Sequence, residues 1–264
     1  MDIITLDFNA LNVEEKKEII YTLDKALDKT AATFSFRQKI LAQTLFVARS
    51  YHFYQQLFER FQMVVPTLFQ DVMKHVWLYL LEEISMEELK KFHQATWSVF
   101  TCLFTGNDEY LDELAWEKYS EEWDDVSIGI CSVDAATPDD ILEQIVSGEI
   151  NWHQPMGSVG NYISSCSLES VYKKETCGYK YEELQRHFAE IYDSPTFSRI
   201  FSLLQEDFRL VKELGNPTKE DILKLQDQYQ RKELFTQQQM EKIADRMDKF
   251  YNLSARVCLK NTSD

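Results

Sequence analysis

The chain has 264 residues, of which 44% are hydrophobic and 13% aromatic, so it can bury a sizeable core and is not a disordered protein. Seven glycines and five prolines are too few for the many turns of an all-β protein. The formal charge of −16 disfavours nucleic acid as a partner, and without an apolar run of about 18 residues no membrane span is expected.

The first half of the chain predicts four helices, because apolar residues recur there at three- and four-residue spacing. One stripe runs from Ile19 to Leu27, and Pro66 separates the second helix from the third. Gly106 ends the fourth helix. Three of the four begin with the spacing of a capping box, in which two side chains satisfy free backbone donors: Asn12 with Glu15, Ser35 with Gln38, and Ser85 with Glu88.

The middle of the chain predicts further helices. Thr137-Pro138 is a strong helix start, since proline fits the first helical position, and this helix ends at Gly148. Residues 126–133 have the composition of a buried strand, although a single strand would lack partners. Helices are expected again over residues 159–166 and 181–191, and another from Ser194-Pro195 to Gly215.

Thr218 with Asp221 opens the last predicted helix, which extends towards Leu253. A helix of roughly 30 residues would be about 45 Å long. A seven-residue repeat joins Ile222, Tyr229, Thr236, Ile243 and Phe250, although the polar Thr236 weakens the apolar pattern. This pattern favours a long core helix, and a seam between two copies of the chain is the alternative.

These elements predict an all-α protein: a single helical domain of about ten helices with a long C-terminal helix. We expect an N-terminal helical arm over residues 1–34, a helical core domain over 35–216, and the long helix packed on the core over 217–264. Five widely spaced cysteines without a CxxC pair predict reduced thiols, and the chain begins without the basic residues of a secretory signal. The expected location is the cytoplasm.

Four segments resemble the YjaG family of bacterial domains of unknown function. They are an aromatic helix at Leu45–Phe58, an apolar helix with tryptophan at Val76–Leu80, an Asp-Gly-Asp-Ala pattern at Asp125–Ala136, and a serine-rich helix at Ser164–Tyr172. The resemblance covers roughly residues 36–215. It implies an all-helical fold, in which residues 126–133 enter a helix instead of forming a strand. No catalytic residues are established for that family, so the resemblance assigns none.

The sequence contains no recognisable catalytic or cofactor motif. Gly157 and Gly160 lack the lysine that follows a phosphate-binding loop. The five histidines never lie three or four residues apart, so no helical metal-binding pair forms. The cysteines lie on or near apolar patterns, as buried thiols commonly do. We therefore expect no cofactor and favour a non-enzymatic protein.

The strongest signal is an acidic window. Between Asp108 and Glu149 there are fourteen acidic residues and a single basic one, Lys118. Aromatic residues lie among these charges, which is a composition typical of protein-binding surfaces. The alternative is a solvated acidic helix whose rings point into the core. The residues expected to contact a partner are Asp112, Glu113, Trp116, Glu117, Glu121, Glu122, Trp123, Asp124, Asp125 and Trp152.

The sequence thus predicts a protein that binds a basic protein partner, in concrete form an immunity protein that neutralises a bacterial toxin such as a nuclease. Two alternatives stay open. A hydrolase of phosphoesters or nucleotides could hold Mg²⁺ at Glu113, Glu117, Glu121 or Asp125. A homodimeric scaffold could form through the C-terminal helix.

Overall fold

The computed structural model describes residues 2–63, 65–122, 137–152 and 194–251. In these ranges the chain forms helices and connecting turns and no strand, so the prediction of an all-α fold is confirmed. The described α-helices are α1 (Val13–Tyr21), α2 (Leu23–Thr30), α3 (Phe36–Arg60), α4 (Thr67–Leu80), α5 (Met86–Thr105), α6 (Glu113–Tyr119), α7 (Thr137–Ser147), α8 (Pro195–Leu214), α9 (Lys219–Tyr229) and α10 (Gln237–Tyr251). Short 3-10 helices lie at Ile3–Thr5, Phe8–Ala10 and Ser120–Glu122. The expectations for residues 126–133, 159–166 and 181–191 lie outside the described residues.

The predicted helix ends are fixed by local hydrogen bonds. Reciprocal capping boxes begin α1, α3, α5 and α9, as the spacing of their polar residues predicted. Before α8 the Ser194 side chain accepts a hydrogen bond from the Phe197 N–H. Gly106 and Gly148 follow α5 and α7 with φ values of 70° and 75°, a conformation that favours glycine. These boundaries were therefore readable from the sequence, because the interactions that set them span only a few residues.

The prediction of one long C-terminal helix is wrong. The structure has two helices there, α9 and α10, with a turn between them. In this turn Leu234 and Phe235 enter the core, where they are 2% and 1% exposed. Thr236 then caps α10: its N–H donates to Gln239 Oε1, and its hydroxyl oxygen accepts from the Gln239 N–H. The stabilisation from burying two large side chains and from a new capping box exceeds the stabilisation that the hydrogen bonds of a continuous helix would give.

The break also interrupts the predicted seven-residue pattern, and the homodimer formed through this region stays a prediction. Ile222 and Tyr229 are 0% exposed, and Ile243 is 6% exposed. All three belong to the hydrophobic core of the chain itself. Three of the five positions that repeat every seven residues are therefore buried within one molecule, whereas Thr236 is exposed.

A smaller difference lies near the N-terminus, where the stripe from Ile19 to Leu27 falls on two helices instead of one. Thr22 lies between α1 and α2 with φ −113° and ψ 17°, outside helical geometry. Its hydroxyl donates to the Glu18 carbonyl at 2.9 Å, and a hydroxyl of this kind competes with backbone donors. Leu27 nevertheless reaches the core and is fully buried.

The core forms around α3, which contacts α4, α7, α8 and α9. Phe46, Phe53 and Phe58 of α3 are among the largest fully buried side chains. The N-terminal residues join the same core, since the Phe8 ring stacks on that of Phe201 with 4.2 Å between centroids. The predicted division into arm, core domain and C-terminal region stays a prediction, but side chains from all three share this core.

A buried ion pair fastens α3 to α8. Arg49 donates through Nη2 and Nε to the two carboxylate oxygens of Asp207, at 2.8 and 3.2 Å. Tyr229 of α9 donates its hydroxyl to the same carboxylate, and its ring centroid lies 4.8 Å from Arg49 Cζ. Arg49 is 2% exposed and the other two residues are 0% exposed. Three helices thus meet at groups that satisfy one another away from water.

We expect Arg49→Ala to lower the free energy of unfolding by about 3–5 kcal/mol, because it leaves the Asp207 carboxylate buried without its cation. Arg231→Ala is the control, since its pair with Asp227 lies on the surface and should contribute less than about 1 kcal/mol. Urea unfolding of both variants measures the difference. Equal losses would contradict the role assigned to the buried pair.

Two helices end in a left-handed residue that is not glycine. Gln62 follows α3 with φ 51°, and Glu82 follows α4 with φ 56°. After α3, the Gln62 N–H donates to the Glu59 carbonyl and the Met63 N–H to the Phe58 carbonyl, at 3.1 and 2.9 Å. This is the hydrogen-bond pattern of a Schellman motif, whose left-handed position favours glycine because a Cβ is strained there.

Gln62→Gly should therefore stabilise the protein, by about 0.5–1 kcal/mol, because relief of the strain exceeds the entropic cost of glycine. Gln62 is exposed, so its side chain makes no core contact that would be lost. Gln62→Ala is the matched control, since alanine retains the strained Cβ and should leave stability nearly unchanged. Thermal unfolding of the two variants tests this, and a glycine variant no more stable than the alanine variant would refute it.

Candidate interaction surface

The first part of the acidic window lies on the loop before α6, on α6 itself and on the 3-10 turn after it. We call residues 108–121 the acidic segment. Asp112 begins α6, where its carboxylate accepts a hydrogen bond from the Ala115 N–H at 2.9 Å. Its own N–H donates to Ser98 Oγ of α5 at 3.1 Å. Ala115 and Tyr119, four residues apart, are buried on the inner side of α6. The helix is therefore held by its start and by one apolar stripe.

A hydrogen-bonded cluster fixes the other end of α6 to α4. Asp71 Oδ2 accepts from Lys118 Nζ at 2.7 Å and from the Tyr119 hydroxyl at 2.8 Å. Burial acts to raise the pKa of Asp71, but the hydrogen bonds from Lys118 and Tyr119 outweigh it and hold the pKa below its ordinary value. Lys118, the one basic residue of the window, is thus paired with an acid from outside the window.

The outward side of the acidic segment carries unpaired charge. Asp108, Glu109, Glu113, Glu117 and Glu121 are all exposed. Within the described ranges, none of these five carboxylates forms a salt bridge. The negative potential of this surface is therefore not cancelled by the lysines and arginines described elsewhere in the chain.

Two apolar side chains lie exposed among these charges. Leu114 is 78% exposed and Tyr110 is 66% exposed. Glu117 lies three residues after Leu114, so helical geometry places both on the same side of α6, away from the buried stripe. Leu114 therefore lies beside acidic residues and away from the core.

The predicted contact residues differ in their exposure to solvent. Glu113, Glu117 and Glu121 are exposed, while Asp112 serves as the cap of α6. Trp116 is partly buried against the core. Glu122 ends a 3-10 turn, and nothing is described of its side chain. The predicted residues Trp123, Asp124 and Asp125 lie outside the described residues.

Trp152 requires a correction, because it is a core residue and not part of the surface. It is 2% exposed, and its indole Nε1–H donates to Asp28 Oδ1 at 2.7 Å. Its ring packs against that of Phe208, with centroids 5.3 Å apart. An aromatic residue next to an acidic window has the same local sequence whether it faces water or the core, so sequence alone could not separate the two.

Leu114 is the surface residue that sequence reasoning missed. The signal was present, since Ala115 and Tyr119 define the buried stripe and Leu114 lies about 100° away from Ala115 around the helix. The stripe is only two residues long, and a short stripe does not fix which side of a seven-residue helix is buried. Contacts with α4 and α5 decided it.

The alternative of a metal-dependent hydrolase gains no support from the described residues. No three histidine, cysteine, aspartate or glutamate side chains there are placed to hold a metal ion. Glu113 and Glu117 lie on α6, and Glu121 lies on the 3-10 turn after it. Among the helices of the residues that the structure describes, none is long and apolar enough to cross a membrane.

Comparisons of the chain with family models, with curated proteins and with solved structures give no match. The resemblance to the YjaG family stays a prediction from the sequence.

The cluster at Asp71 gives a test of how α6 is held. Tyr119→Phe should lower the free energy of unfolding by about 1–2 kcal/mol, since it removes a buried hydroxyl that donates to a carboxylate. Lys118→Ala should cost less than about 1 kcal/mol, because the Lys118 side chain is 56% exposed and water screens its ion pair. Urea unfolding ranks the two variants, and the reverse order would contradict this account.

Proposed function

We propose that this chain is a non-enzymatic binding protein whose acidic segment docks on a basic protein partner. One observation carries the proposal: five exposed carboxylates, at Asp108, Glu109, Glu113, Glu117 and Glu121, lie together in the chain without a cationic partner among the described residues. Like charges crowded in this way repel one another and destabilise the free protein. A cationic partner would relieve that repulsion.

The exposed apolar side chains supply the binding affinity that charged residues alone do not provide. Charged residues at the rim of an interface mainly steer association and exclude wrong partners, whereas buried apolar anchors provide most of the affinity. Leu114 and Tyr110 lie among the acidic residues and are mostly exposed. We infer that they form the anchor of the interface and that the carboxylates surround it.

The most concrete form of this proposal is a cytoplasmic immunity protein that covers the cationic active site of a bacterial toxin such as a nuclease. Enzymes that bind nucleic acid present lysines and arginines to phosphate groups. A surface of carboxylates can occupy such a site in place of the phosphates. The sequence resemblance to a bacterial family is compatible with this setting, and the charge complementarity is its physical basis.

The experiment begins with a photo-crosslinking amino acid at position 114 in the full chain, expressed in bacteria, with position 223 as control. Leu223 is also half-exposed, at 50%, but lies on α9. We expect a basic protein to be captured from position 114 and not from 223. The captured protein is then purified, so that its binding can be measured directly.

The decisive measurement compares two double charge reversals on the purified complex. Glu117→Lys with Glu121→Lys should slow association at least about tenfold at low salt, and high salt should reduce this difference. Glu213→Lys with Glu241→Lys makes the same change in net charge at exposed positions on α8 and α10 and should have a much smaller effect. Binding that ignores both salt and the first pair of substitutions would refute the proposal.

A further inference from the structure

Residues 2–10, which we call the N-terminal segment, lie in a groove between α2 and α8. We call this the N-terminal groove. The segment has three apolar anchors, Ile3, Ile4 and Phe8, and each of them is at most 9% exposed. The Phe8 ring stacks on that of Phe201 of α8, with 4.2 Å between centroids. Apolar contacts therefore hold the segment at two places, near its start and near its end.

Side chains of the groove also bind the backbone of the segment. Gln205 of α8, which is 9% exposed, donates its side-chain N–H groups to the carbonyl oxygens of Ile3 and Leu6. One turn further along α8, Arg209 Nη2 donates to the Ile4 carbonyl oxygen at 3.2 Å. Residues four apart lie on the same side of a helix. One side of α8 thus satisfies three carbonyl groups of the segment.

Two further contacts hold the start of the segment. Thr30 of α2 is 6% exposed, and its Oγ1 accepts the Ile3 N–H at 2.9 Å. The Asp2 carboxylate pairs with Lys212 Nζ of α8 at 3.7 Å. Binding sites for peptides likewise gain affinity from hydrogen bonds to the main chain and specificity from pockets for side chains. The groove therefore holds the segment as a binding site holds a peptide.

A short exposed turn joins the segment to α1. Asn9 and Ala10 are exposed, and the Ala10 N–H donates to the carbonyl and to the carboxylate of Asp7, at 3.2 and 3.3 Å. Both distances are at or beyond the long end of the ordinary range. The start of α1 does not depend on this turn, because Asn12 and Glu15 form its capping box between themselves. The turn can therefore open as a hinge without disrupting α1.

We propose that the N-terminal groove is an interface between two copies of this chain, in which each copy receives the N-terminal segment of the other. A second copy is the occupant because its segment carries the same anchors and carbonyl groups that the groove binds. Exchange retains the contacts between segment and groove and gives up only the bonds of the hinge. A short tether acts as a concentration in the millimolar range, so exchange competes with the closed monomer near that concentration. The proposal is independent of the binding function argued above.

Isotope mixing, with a photo-crosslinking amino acid at position 5 of the full chain, tests the proposal. Thr5 is exposed between two residues whose carbonyl groups α8 binds, so a probe there reaches α8 without altering an anchor. Labelled and unlabelled chains are unfolded together in urea and refolded together at about 1 mM. Slow opening of the folded chain then cannot prevent exchange. Mass spectrometry identifies the cross-linked pairs that join the segment to α8.

The isotopes distinguish exchange from contact within one molecule. In an exchanged dimer about half of the pairs should join a labelled to an unlabelled peptide, since the copies combine at random, whereas a closed monomer gives no mixed pair. The same probe at position 21 is the control for chance collisions. Tyr21 is 64% exposed and lies on α1, beyond the hinge.

A substitution in the hinge gives a second measurement. Ala10→Pro should favour exchange, because proline has no N–H to close the turn and disfavours helical geometry at Asn9. Ala10→Ser keeps the N–H and is the matched control. By sedimentation equilibrium, we expect the dimer dissociation constant of Ala10→Pro to be at least about tenfold lower than that of Ala10→Ser, since each closed monomer loses its turn bonds.

Mixed pairs that are more frequent from position 5 than from position 21, in the wild type or in Ala10→Pro, would support the proposal. Mixed pairs no more frequent from position 5 than from position 21 in both proteins would overturn it. So would a dimer in which every segment–α8 pair carries a single isotope, because its interface would lie elsewhere on the chain. The wild type alone decides the matter if the proline variant fails to fold.

Discussion

The described fold depends on the buried contact between Arg49, Asp207 and Tyr229. Each of these polar groups would be costly to bury alone, and each is satisfied only when α3, α8 and α9 are together. Apolar side chains tolerate small shifts of one helix against another, but a bidentate pair of guanidinium and carboxylate does not. This contact therefore fixes the register of α8 and α9 against α3.

The fold places acidic residues of the same window in two opposite environments. On α6 the carboxylates of Glu113 and Glu117 face water, where their charge is retained and can act on a partner at a distance. On α7 the carboxyl of Asp139 faces the core, where the cost of burying a charge favours its neutral form. Residues of one acidic window thus lie in two environments, one exposed to water and one buried in the core.

The one basic residue of the acidic window, Lys118, affects the charge that α6 exposes. Lys118 is drawn towards Asp71 on α4, and so it does not neutralise the glutamates beside it in the sequence. The same cluster holds Tyr119 in the core and leaves Leu114 on the outside. The interaction that anchors α6 to α4 therefore also pairs the ammonium group of Lys118 with a carboxylate outside the acidic segment.

The sequence by itself determined the helical class and most helix ends. Capping boxes such as Ser35 with Gln38, and the glycine at position 106, act through hydrogen bonds and dihedral preferences within a few residues, and these are present in the linear pattern. Only the tertiary structure decided the break before Thr236, the burial of Trp152 and the exposure of Leu114. Each depends on which distant helices are available to cover a side chain, and the periodicity of a single segment carries no information about its neighbours in space.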